Sequence, residues 1–191
     1  MKIKTYELIV DYLENPSKNK HQDIDRRTEL AELLQLKNTN NPSKIGEKIV
    51  EIYYEVLKIP YERNVKVPVS REEPLPKFGN PKRNYYLDGL ENKQFYVEVK
   101  TRAYQSGGTA GEKIPSIAFK YGDLSKKLKI FLLADDEHTY NLYWSKLIRG
   151  DIISSNPYNS SFEEGYKKIH TEIIEKIIYG TEIAKVIKQN F

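Results

Sequence analysis

A chain of 191 residues with 39% hydrophobic and 30% charged residues has the length and balance of one globular domain with a substantial core. It contains no run of about eighteen apolar residues that could cross a membrane, and its N-terminus is charged and amphipathic rather than a signal peptide, so the cytoplasm is the expected compartment. With no cysteine and a net charge of +4, disulfides and thiolate zinc sites are excluded, while nucleic acid is a compatible partner that the charge alone does not require.

Thr5 to Leu13 places Tyr6, Ile9 and Leu13 at helical spacing. Past a polar loop, Asp25 or Thr28 is expected to cap a second helix running to about Leu36, with Leu30, Leu33 and Leu34 inward. A third helix follows Asn41-Pro42, with Ser43 as its cap, and reaches Leu57 on an apolar stripe of Ile45, Ile49, Ile52 and Val56. Glu47, Glu51 and Glu55 line an adjacent flank, which on its own reads as a solvated acidic edge. Residues 1–41 make a helical N-terminal part of the single domain, 44–134 its core, and 135–191 a C-terminal hairpin and helices.

Asn64 to Ser70 alternates Val65, Val67 and Val69, a strand that Pro68 confines to an edge or an end. Arg71 to Arg83 holds three prolines and the cations Lys77, Lys82 and Arg83, an irregular connection suited to gripping a phosphate backbone. Tyr85-Tyr86-Leu87-Asp88 and Phe95 to Lys100 then read as two short strands, with Gly89 and Glu91-Asn92-Lys93 as the turn between them. Alternation puts Phe95, Val97 and Val99 on one face and Tyr96, Glu98 and Lys100 on the other. A connection with an odd number of residues brings Asp88 onto the face of Glu98. Two carboxylates with few other ligands suit Mg²⁺, and a nearby ammonium suits charge growing on a phosphate.

Asp88 with Glu98-Val99-Lys100 resembles the PD-(D/E)xK nuclease motif, and the continuation from Thr101-Arg102 to Glu112-Lys113 looks like a type II restriction endonuclease. The likeness covers about positions 44 to 134, and Leu87 stands where the motif's name has proline. It implies an α/β fold of the restriction-endonuclease-like kind, a central mixed sheet flanked by helices. The activity it implies is Mg²⁺-dependent, sequence-specific hydrolysis of double-stranded DNA by a homodimer. Asp88, Glu98 and the Val99 carbonyl would hold the metal, Glu47 would assist it with Glu51 in reserve, and Lys100 would activate the attacking water. DNA contacts are expected from Arg102, Tyr104, Ser106, Thr109, Lys113, Lys82 and Arg83. A repair, nicking or junction-resolving nuclease of the same fold, or an inactive DNA-binding module, stays open beside this reading.

The glycines of 107–111 do not make an ATP-binding loop, since Lys113 follows Glu112 and precedes Ile114. A Gly-rich turn entering a helix near Pro115 still offers amides to a DNA phosphate. Lys129 to Ala134 is expected as a buried strand, Asp135 to His138 as a hairpin tip and Thr139 to Trp144 as its return strand. The histidines, His21, His138 and His170, have no ligand spacing. Glu163 to Tyr179 has the period of a helix, with Tyr166, Ile169, Ile173 and Ile177 inward and Gly180 closing it, and Thr181 to Lys188 of a last short helix.

Overall fold

Apolar spacing sets the helices, and their ends are set by local hydrogen bonds. The computed structural model describes residues 3–15, 20–36, 41–68, 84–101, 117, 120–122, 124–133 and 172–191. Helix α1 spans Ile3–Glu14, α2 Lys20–Leu33 and α3 Pro42–Leu57. The second begins ahead of both expected caps: Asp25 and Thr28 lie inside it, and the Thr28 hydroxyl donates to the Ile24 carbonyl at 2.9 Å. Asn41, not Ser43, caps α3. Its side chain accepts the Ser43 amide at 2.9 Å, and Pro42 fills a first-turn position that needs no N–H. Both α2 and α3 stop at a left-handed residue, Gln35 and Lys58, each with φ 56°. Beyond them the Leu36 and Ile59 amides return to the Ala31 and Tyr54 carbonyls and close the last turn.

Strands β1 (Tyr61–Pro68), β2 (Asn84–Glu91), β3 (Phe95–Lys100), β4 (Leu128–Leu132) and β5 (Ile174–Tyr179) lie side by side in chain order. Neighbours are antiparallel from β1 to β3 and parallel from β3 to β5. The step from β3 to β4 therefore crosses over, and residues 117 and 120 within it are helical. The architecture is the expected α/β one: a mixed five-stranded sheet with four helices among the described residues.

The C-terminal expectation is corrected in one place. Ile174–Tyr179, read as the end of a helix, is a strand, and Gly180 opens α4 (Gly180–Asn190) instead of closing a helix. Its isoleucines serve both faces of the sheet: Ile178 meets the helices while Ile177 and Tyr179 face the other way. Residues 163–171 and the hairpin expected over 135–144 lie outside the described residues.

Apolar side chains cover both faces. On one, Val97, Val99, Phe131 and Ile178 meet Ile9 and Leu13 of α1, Leu30 of α2, Ile45, Ile49 and Ile52 of α3 and Ile183 of α4. On the other, Tyr96, Leu128, Ile130 and Leu132 meet Tyr85, Leu87, Ile117 and Tyr121. Hence β3 is covered twice, and Glu98, on the face expected to be polar, is buried among apolar neighbours.

Candidate active site

The hairpin of β2 and β3 turns through Asn92 and Lys93, with φ 45° and 58°, and the Gln94 amide donates to the Glu91 carbonyl at 2.8 Å. Glu91 faces Phe95 and Gly89 faces Val97, so the connection has the odd length that carries Asp88 toward Glu98. Gly89 belongs to the strand and not to the turn. An added Cβ there would lie 2.2 Å from the Tyr61 ring, so only a residue without a side chain lets that ring cross the strand.

At Asp88 the hairpin bends. The β1–β2 register pairs Arg63 with Gly89 and Val65 with Leu87 but leaves out Asn64 and Asp88, and Asn64 has φ 54°. Asparagine tolerates that left-handed conformation. Faces exchange across the bend: Tyr61 and Glu91 turn to the helical layer, whereas Val65, Val67, Tyr85 and Leu87 pack on the opposite side. From the turn, β2 pairs with β3 as far as Gly89–Val97, and beyond that point the Val99 amide donates to Asp88 Oδ2 at 2.7 Å. The Tyr61 hydroxyl holds the Asp88 carbonyl at 3.2 Å.

Two carboxylates and an ammonium meet here. Lys100 Nζ donates to Glu98 Oε1, and the Tyr121 hydroxyl donates to Glu98 Oε2 at 3.1 Å. Burial, and after it the Glu98 charge, pushes the Asp88 carboxyl up to about 6, against the opposing pull of the Val99 amide and Lys100. Burial and the Glu98 charge likewise push the Tyr121 phenol well above its ordinary range, so it is a donor at any physiological pH. The hydroxyls of Tyr61 and Tyr121 were not foreseen as site groups.

Glu47 adds its charge to the surroundings of Asp88 and Tyr61, yet its carboxylate bonds Lys44 at 2.9 Å. Gly46 lets this part of α3 come close: an added Cβ would fall 2.3 Å from Thr101 Cγ2 and 2.9 Å from Leu133 Cδ1. Glu51 is engaged elsewhere, by Lys48 at 2.8 Å and Arg63 at 3.0 Å. Among the described residues no group of three or more acidic or histidine side chains could hold a metal ion. Asp88 and Glu98 are a pair of hard oxygen donors, a set that suits Mg²⁺ with water completing its shell. Arg102, Tyr104, Ser106, Thr109, Lys113, Lys82 and Arg83 lie outside the described residues.

A second polar cluster, unforeseen, sits at the other end of the hairpin. Lys129 Nζ reaches both oxygens of Glu91 at 2.6 and 2.8 Å, and the Tyr54 hydroxyl donates to Glu91 Oε2 at 2.8 Å. With its charges already matched, it is a structural pair.

Searches of protein-family models, curated proteins and solved structures found no significant match to this chain. Among the described residues no helix is long and apolar enough to cross a membrane.

Proposed function

We propose that this chain is a Mg²⁺-dependent nuclease hydrolysing phosphodiester bonds of double-stranded DNA, with Asp88 and Glu98 holding the cation and Lys100 beside the reacting phosphate. The observation that supports it most is the convergence of those three side chains at the bend of one hairpin, where burial and the Glu98 charge raise the Asp88 carboxyl against the pull of the Val99 amide and Lys100. A divalent cation bound between the carboxylates would supply Lewis-acid stabilisation of the scissile phosphate.

The chain's own groups have separable parts. Val99 N–H fixes one Asp88 oxygen and leaves the other to a ligand. Lys100 at rest is paired with Glu98; turned toward substrate, its ammonium orients the attacking water and offsets charge growing on the phosphate. Glu47 contributes through its field. The motif's likeness to type II restriction endonucleases extends the proposal to site-specific cutting by a homodimer, one strand per subunit.

Digestion of a long mixed-sequence DNA with Mg²⁺ tests it. Discrete bands abolished by EDTA are expected, and loss of about 10²-fold or more in rate for Lys100→Ala, with the thermal midpoint kept. An unimpaired, folded Lys100→Ala protein would overturn the mechanism. A smear of fragments would instead favour a nuclease without site specificity, and no EDTA-sensitive cutting a binding module.

A further inference from the structure

We propose that Tyr121 is the positioning residue of this site: its hydroxyl holds Glu98 in the orientation from which the carboxylate shares a divalent cation with Asp88. The inference rests on the metal-site reading above. Glu98 is 5% exposed and Tyr121 1% exposed, so water does not compete freely for either group. A glutamate has three side-chain torsions, and Lys100, long and needed by the phosphate, cannot be what fixes them. Tyr121 can. Its ring packs edge-on against Tyr85, with centroids 5.4 Å apart, and its amide is tied to the Ile117 carbonyl at 3.0 Å.

The direction of the hydroxyl bond is also set. Lys120 Nζ donates to the Tyr121 oxygen, and a lysine ammonium has no acceptor capacity, so the phenol's single proton is committed to Glu98 Oε2. A neutral donor orients the carboxylate without cancelling the charge a cation needs, as a second lysine would. It occupies Oε2 and leaves Oε1, the oxygen that Lys100 now covers, as the one available to a metal.

Mn²⁺ alone is the probe, its free ion followed by electron paramagnetic resonance in the absence of DNA. Tyr121→Phe keeps the ring and its packing while deleting the hydroxyl, and should weaken Mn²⁺ binding about 10-fold. The Mg²⁺ concentration for half-maximal cleavage should rise in parallel, with KM for DNA unchanged. A merely structural tyrosine would lower the unfolding midpoint and leave Mn²⁺ affinity alone, and that result overturns the proposal. Should Tyr121→Phe fail to fold, Tyr121→Met, which fills much of the ring's space without a hydroxyl, takes its place and should weaken Mn²⁺ binding by a similar factor. Wild-type protein that binds no Mn²⁺ sinks the metal site itself, whereas equal affinity in the variants sinks only the role of Tyr121.

Discussion

Asp88 sits where a bend in the hairpin, a buried setting and the neighbouring Glu98 charge coincide, and its carboxyl is pushed up to about 6. In the unfolded chain it titrates near 3.9. The native state therefore holds an extra proton between those values, and stability falls as pH rises from about 4 through 6, by an amount of order 2–3 kcal/mol. Asp88→Asn keeps an acceptor for the Val99 amide and removes the charge. In metal-free urea unfolding it should be more stable than wild type at pH 7, with the gain shrinking toward pH 4. An equal gain at both values would mean that the charge is not the cause. Asp88, Glu98 and Lys100 were legible in the sequence because all three lie on one short hairpin, where alternation and the odd connection decide which side chains meet. Tyr121 was not, since it is 23 positions from Glu98, the crossover alone brings them together, and nothing local marks it out among fifteen tyrosines.

At the scale of elements, the approach of α3 to the sheet depends on Gly46. In an isolated helix, replacing glycine with alanine stabilises by roughly 0.5–1 kcal/mol. Here the new methyl would meet Thr101 Cγ2 at 2.3 Å and Leu133 Cδ1 at 2.9 Å, so the side chains or the helix must give way. Gly46→Ala should therefore destabilise by about 1–3 kcal/mol in denaturant unfolding, the opposite sign from helix propensity. A variant more stable than wild type would show that α3 does not press on the end of β3. Helix α3 itself was readable from its stripe, but its cap was placed two residues late because Ser43 and Asn41 both have capping side chains and only geometry separates them. The strand β5 was missed for a related reason. Ile173 and Ile177 continue a helical period, yet Ile174, Ile177 and Ile178 also suit a strand, and the choice is made by the edge of β4, which pairs with it.

Among the described residues the sheet is clamped between two apolar layers, and on the helical side a buried ionic link joins it to α3. Tyr54 of α3, Glu91 of β2 and Lys129 of β4 bring three elements to one point, with Lys129 Nζ also 4.4 Å from the centre of the Phe95 ring. Glu91 and Lys129 are 38 positions apart, so no local pattern could have revealed the link. Its stability contribution has a definite signature. Lys129→Met removes the cation and leaves the Glu91 carboxylate with Tyr54 alone; with side chains 17% and 11% exposed, the loss should be about 3 kcal/mol, at the lower end for a broken buried pair. Adding Glu91→Gln takes away the stranded charge but keeps an acceptor for the Tyr54 hydroxyl. The double variant should then recover a large part of that loss in urea unfolding, because it is the unpaired charge, not the missing bond, that costs most. Additive losses in the two single variants and the double would mean that Glu91 and Lys129 act independently, and that the helical layer is held to the sheet by apolar packing alone.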